Sequence, residues 1–574
     1  MQMSSLNKLV LLIPVIFLIV ACGSGNSSQI NNPTITMLTP ISSVVAAGSK
    51  LQLRAVVSGS NNTSVLWFVN NIPGGNSTVG TITSQGLYTA PNLPPSTGSV
   101  VISASPQIFP VVSSSIIIGI TFANVSLSGS YVFVLNGMQA GSPMAIAGSF
   151  TSNGNGAITG IEDFNGSAGV ATAAPFTGSY LVNANGQGTA TFTSSQGSFT
   201  MGFTVNTQGQ AVIMSTDSGT VASGNFYPQL SNALTLTSLN APFVFSLKGI
   251  GGSGNLVNII GTFVTNGSNT FSYAEEDRNP GLTTSNETFT GTYTLGNNGP
   301  GTGTATFTDS YGTKTYDFYM VSSTQFQFIE VDNSGYLSGT AYQQQSVSST
   351  TVLAGTFVYY VSGGVGNADY GSAGGFTTDT VTFGNITAGT NDINEIGSLA
   401  SNPQLTGGFT SGTHGRGTIA LTGTNGTTDY VYYLISPYAA FVLTTDPAVN
   451  ASGALFVQIG GFVTSSLSGY FTYALETPVI ATPPLTSVGL LYLNGAGAIA
   501  GFANTNNNGV VSGQQPVTGV DTVTPLTATT STRGLATLTV AGASTNFVFY
   551  PISNSSIIMM SNGMPGIALM VLQY

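Results

Sequence analysis

Charge is what this chain most lacks. Asp, Glu, Lys and Arg together make up 5% of its 574 residues, against about 25% in ordinary soluble domains. Its eight basic residues are scattered and the net charge is −11. That excludes nucleic acid as a partner, because phosphate binding needs clustered Lys and Arg. Histidine is almost missing as well. His414 stands alone, in Gly412-Thr413-His414-Gly415-Arg416-Gly417, and reads as a surface-turn residue. A Ser-His-Asp triad would have to use it, and no Gly-x-Ser-x-Gly elbow leads into a helical pattern. With Cys22 the only cysteine, there is no internal disulfide and no His/Cys set for zinc. Phosphate-loop and dinucleotide fingerprints are missing, and Gly-x-Gly strings such as Gly299-Pro300-Gly301 belong to turns. No cofactor, metal site or catalytic constellation is expected, so the chain reads as a non-enzyme. No helical period occurs beyond the first apolar run, at 9–20.

What is present is glycine, hydroxyl and amide side chains, and 10% aromatic residues. Recurring apolar strands with that many rings can bury enough surface to fold. The segment Phe176-Thr177-Gly178-Ser179-Tyr180, followed by Gly188-Thr189-Ala190-Thr191-Phe192, reads as strand, turn, strand. It returns at Phe289, Leu405 and Val517, in steps of 113, 116 and 112 residues. Leu127, Leu239, Leu353 and Leu467 mark the first strand of each copy, and Gln229, Gln344, Gln458 and Gln573 its last. Independent markers agreeing on one period establish a repeat. Copy one carries about eight strands, near 131–135, 145–151, 157–163, 175–182, 188–193, 198–205, 211–215 and 223–227. Asn165-Gly166, Asn185-Gly186 and Gln208-Gly209 sit between them. Asn-Gly tolerates positive φ and marks hairpins. The expected class is all-β: antiparallel meanders forming small eight-stranded barrels, with two-sheet sandwiches as the alternative. The units span 126–230, 238–345, 352–459 and 466–574.

The N-terminus reads as an address. Lys8 precedes an apolar run of twelve containing Pro14, which suits a signal peptide and is short for a membrane span. Ile19-Val20-Ala21-Cys22 resembles the bacterial lipobox. The resemblance implies a signal peptide over 1–22 whose terminal Cys22 is acylated. Residues 23–32, rich in Gly, Ser and Asn, suit a flexible tether. Gly23 after the cysteine implies sorting to the outer membrane, with the body in the cell envelope or exposed at the surface.

Residues 33–122 lie outside the repeat and read as about seven short strands. Trp67, flanked by Val65, Leu66, Phe68 and Val69, reads as the core plug of a sandwich. Gly80-Thr81-Ile82 and Gly86-Leu87-Tyr88-Thr89-Ala90-Pro91 resemble the strand-turn-strand of bacterial immunoglobulin-like domains, which implies a spacer or adhesive module. The repeats themselves resemble tandem units of predicted surface lipoproteins of acidobacteria, a likeness that implies no particular activity.

Two sets of residues are candidate sites. Asp163 with Asn165, Asp277 with Asn279, and Asp392 with Asn394 recur at the end of the third strand, with Asn504 and Asn506 in copy four. They supply oxygens suited to weak calcium binding or to capping turns. One Asp and one Asn fall short of the six to eight oxygens calcium takes, which favours the turn. Tyr316, Tyr319, Tyr359, Tyr360, Tyr430, Tyr432 and Tyr433 put rings on both faces of their strands. One face is core, and the other is available for stacking on a glycan or a partner protein. The leading functional expectation is an anchored adhesion, binding or spacer protein. Behind it stand a lipocalin-like carrier of small apolar ligands, a membrane-spanning barrel and, last, an enzyme.

Overall fold

The computed structural model describes residues 32–38, 40–230, 234–279, 286–296, 298–348, 351–366, 368–379, 384–395, 397–424, 426–476, 484–524, 532–563 and 567–572. The expected signal peptide, Cys22 and most of the expected tether lie outside the described residues.

Short strands with turn residues between them build the first domain as a sandwich. Its largest sheet has five strands, including Val65–Val69, Ser99–Pro106 and Ser114–Thr121. Trp67 is buried with Leu53, Ile82, Tyr88 and Ile102 in one core, as its apolar flanks predict. Leu93 packs into the core of the first repeat, and Ser126 Oγ donates to the Asn92 carbonyl at 2.9 Å. The sandwich is thus seated on unit 1.

All four repeats are eight-stranded antiparallel barrels. Units 1 and 4 close strand to strand, Ser128–Gln139 pairing with Thr220–Pro228, and Ser468–Glu476 with Ile567–Leu572. In unit 3 the fourth strand is split into Ser398–Asn402 and Thr406–Ser411, and both halves pair with Asn385–Glu395 to complete the circuit. In unit 2 it is split into Glu287–Thr288 and Thr290–Leu295, and a bridge from Thr270 to Thr292 closes the gap. The barrel alternative therefore holds over the sandwich. The strands are longer than the sequence pattern suggests, up to the fourteen residues of Gly169–Val182 and the fifteen of Val510–Thr524. Pairing runs on past the apolar stretches into Thr/Ser/Asn positions, where no alternation signals a strand.

The interiors are filled. Phe133, Phe150, Phe176, Phe192, Phe203 and Phe226 pack in unit 1, with Phe176 and Phe192 stacked at 4.5 Å. Cavities inside units 2 and 4 are about 10 Å³, too small for a ligand. The glycine that opens each second marker strand has a packing reason. Gly188, Gly303, Gly417 and Gly534 lie opposite Phe203, Phe318, Tyr432 and Phe549. Each ring lies against its glycine, where a Cβ would overlap it.

Candidate functional site

The four barrels form a closed ring. The first two strands of each unit pack on the last strands of the next, and the same faces of unit 4 pack on unit 1. The recurring Asp-x-Asn is the clasp at these seams. Asn165 Nδ2 donates to the carbonyls of Glu330 and Gly335, both at 2.8 Å. Asn279 reaches Thr444 and Val449, both at 2.9 Å, and Asn394 reaches Ser561 at 2.6 Å. Asn506 reaches back to Ser215 at 2.9 Å and Thr220 at 2.7 Å, in the first unit. Each buried amide satisfies carbonyls of a neighbouring barrel, which would otherwise be orphaned acceptors.

The aspartate two residues earlier takes charge-assisted bonds across two of the seams. Arg416 Nε and Nη2 donate to Asp277 at 2.7 and 2.8 Å, and the Tyr433 hydroxyl adds a bond of 2.8 Å. Arg533 and Tyr550 do the same to Asp392, at 2.6, 2.7 and 2.6 Å. Both aspartates are fully buried. The Asp277 carboxylate raises the Arg416 pKa and burial opposes it, while for Arg533 burial lowers and the Asp392 carboxylate raises it; the net direction is upward in both. The last-strand glutamines reinforce the seams: Gln229 Nε2 donates to Pro300 and Met320 carbonyls, Gln344 to those of His414 and Leu434, and Gln458 to Pro551. Gln573 lies outside the described residues.

The other two seams differ in chemistry. Between units 1 and 2, Thr302 stands where Arg416 and Arg533 stand, and Asp163 faces Tyr319 and a second carboxylate, Asp317. Burial first, and the Asp317 charge second, push the Asp163 carboxyl up to about 7. Between units 4 and 1 the triad is Asn504, Gln187 and Thr204, with no charge. Gln187 Nε2 and Thr204 Oγ1 are buried there without a hydrogen-bond partner.

On the ring axis a cavity of about 60 Å³ is lined by all four units, among them Asn136, Lys248, Ser362 and Thr486. Asn258 Nδ2 donates to Asn450 Oδ1 at 2.7 Å beside it, and Ser338 Oγ to Asn136 Oδ1. A cavity of this size holds about two waters.

The seven tyrosines do not form a stacking surface. Tyr316, Tyr359, Tyr430 and Tyr432 lie inside barrels 2 and 3, and Tyr319 and Tyr433 are buried in seams. Tyr360 is half-buried against the seam between units 3 and 4. The reason is that both faces of a seam strand are covered, one by its own core and the other by the next barrel. The Asn residues of the motif chiefly clasp seams, and in copy four Asn506 also caps its turn, its Oδ1 accepting the Gly509 N–H at 3.0 Å. Among the described residues no three His, Cys, Asp or Glu side chains converge. His414, read as a surface-turn residue, stacks on Tyr273 of the preceding unit at 3.9 Å. Sequence reasoning missed Arg416, Arg533 and Tyr550. Their signal was present as a basic residue opening the fifth strand in two copies, with a Tyr opposite it.

No family model matches the chain, and no curated protein matches it. Among solved structures it is similar to transferrin-binding protein B of Haemophilus parasuis Hp5, a vaccine antigen solved as a double alanine mutant, at 10% identity and a TM-score of 0.15, covering 83% of this chain and 82% of that one. Intact Ap-TbpB, with N and C lobes, matches at 9% identity and a TM-score of 0.10, covering 83% of each chain. Scores this low carry no argument about fold or role.

Proposed function

We propose that the chain is a lipid-anchored protein of the cell envelope, sorted to the outer membrane, with a non-catalytic binding, adhesion or spacer role. The sandwich would hold the ring away from the membrane, and the ring would present its outer walls. One observation carries this reading: four filled barrels clasped into a closed ring make a rigid body whose available surface is external. Rigid presentation limits the ordering cost of binding. The filled interiors speak against a carrier of small apolar ligands. Four small separate barrels speak against a single membrane-spanning one. Acylation of Cys22 follows from the lipobox-like segment, and stable anchoring takes more than one acyl chain.

The test is metabolic labelling with a palmitate analogue, followed by fractionation and protease treatment of intact cells. The wild-type chain should be labelled, sediment with outer membranes and be cleaved from outside. Cys22→Ser should be unlabelled and released from the membrane. A Cys22→Ser protein that still partitions with membranes after alkaline washing would refute the anchor.

A further inference from the structure

The seam between units 4 and 1 is built differently from the other three. Consecutive units are joined by backbone, and the first and last are not, so the chain does not bridge this seam. Its triad of Asn504, Gln187 and Thr204 is uncharged, and Gln187 Nε2 and Thr204 Oγ1 are buried in it without a partner. Its apolar filling is also thinner. By strand register, Thr204 stands at the place of Tyr319, Tyr433 and Tyr550, each of which packs in an apolar cluster at its own seam. Thr472 stands where Val132, Val244 and Val358 fill those clusters. Gly202 stands where Val431 and Val548 do at two of them. A buried donor left unpaired costs stability that a satisfied one does not. This seam therefore gives way before the others.

We propose that the ring opens at this seam and that open copies of the chain pair through the freed faces, the unit 4 face of one copy on the unit 1 face of the next. The partner is a second copy, and the closed ring already shows its fit. Asn506 Nδ2 donates to the Ser215 and Thr220 carbonyls at 2.9 and 2.7 Å, while Val488 and Met214 are fully buried on the two faces. Pairing between chains remakes these contacts and needs no new surface, as in domain swapping. Each open chain keeps one face of each kind, so copies join head to tail and every addition leaves the same two faces free. Within one chain the faces meet at an effective concentration on the order of millimolar, so the closed ring prevails in dilute solution. Joined copies accumulate as the protein approaches that concentration. The inference goes beyond the binding role proposed above and does not depend on the lipid anchor.

The experiment uses the full-length chain carrying Cys22→Ser, which removes the only native thiol and makes the result independent of acylation. A Cβ on Gly202 would lie 3.8 Å from Asn504 Cγ across the seam, within reach of a disulfide. Gly202→Cys and Asn504→Cys are made in separate chains, mixed, concentrated and oxidised. Non-reducing gels should show linked dimers that increase with concentration, at a yield severalfold above that of either variant oxidised alone. Thr472→Val, which copies the other three units, should lower that yield severalfold. Both cysteines in one chain, oxidised in dilute solution, should close the ring covalently and keep it monomeric in light scattering at every concentration. Without introduced cysteines, Gln187→Arg/Thr204→Tyr/Asn504→Asp installs the triad of the seam between units 2 and 3. It should lower the dimer fraction in light scattering roughly tenfold, the effect of one charge-assisted bond. Melting curves identify any variant that fails to fold, and the milder Thr472→Val then decides. Linked dimers no more abundant than in the single variants, an unchanged yield with Thr472→Val, or self-association of the covalently closed ring would overturn the inference.

Discussion

Removing Arg416 should cost more than removing its whole interaction. Asp277 is 1% exposed at its side chain, and Arg416 is 25% exposed. Arg416→Met keeps the aliphatic stem and leaves a buried carboxylate with only the Tyr433 hydroxyl. Stranding one partner of a buried pair costs about 3–5 kcal/mol. Water reaches the open side of Arg416, so we take the lower end, about 3 kcal/mol, equivalent to roughly 150-fold in an opening equilibrium. The double change Asp277→Asn/Arg416→Gln places at these positions the uncharged residue types, Asn504 and Gln187, that occupy them between units 4 and 1. It removes the stranded charge and should cost about 1 kcal/mol, roughly fivefold. Native-state hydrogen exchange read by mass spectrometry resolves these outcomes locally. Amides of Leu256–Thr265 and Gly426–Ser436, which face each other across this seam, should exchange faster by those factors, with the seam between units 1 and 2 unchanged. A single variant that accelerates exchange less than threefold, or a double variant as damaging as the single, would refute the reasoning.

Three further outcomes follow from the seams and cores. The raised Asp163 carboxyl keeps in the folded state a proton that the unfolded chain releases near pH 4, so the seam between units 1 and 2 loses stability as pH rises from about 4 to about 7 and levels off above. Thr302→Arg supplies the missing guanidinium and should flatten that dependence, with thermal melts at pH 5 and 7.5 as the check. Asn506→Ala deletes the two buried bonds to unit 1 and the turn bond from Gly509, costs about 2 kcal/mol, and should open the ring, raising the radius of gyration in solution scattering. Asn394→Ala should not, because the chain itself ties units 3 and 4. Gly534→Ala forces a Cβ into the Phe549 ring and should destabilise unit 4 by about 1–3 kcal/mol, read as a lower melting temperature.

The period, the hairpins and the sandwich core were legible because each is local. Asn-Gly turns, a tryptophan between apolar neighbours and markers recurring at fixed spacing all act within a few residues or one unit. The seams were not legible, although their residues were in view. Asp277 meets Arg416 at a separation of 139 residues and Asp392 meets Arg533 at 141, so no window of sequence contains both. A period says that units are alike; it does not say which face of one meets which face of another. Apolar residues on both faces of the strands were the available clue. They suggest a binding surface because Val431 and Tyr433, alternating with Tyr430 and Tyr432, give no sign that the next barrel covers them.

Asn506 reaching back to Ser215 and Thr220 has a consequence for how the gene can change. Linear arrays of repeats gain and lose copies freely, since each copy touches only its neighbours. A closed circuit of geometrically equivalent heterologous contacts fixes the turn per unit, here a quarter of a revolution, and so fixes the number of units. Unequal crossing-over that yields three or five copies would leave two unmatched faces, with buried amides, carbonyls and apolar strands opened to solvent or to other molecules. Selection on this lineage can therefore adjust the loops and outer walls of the copies individually, while their number is held at four.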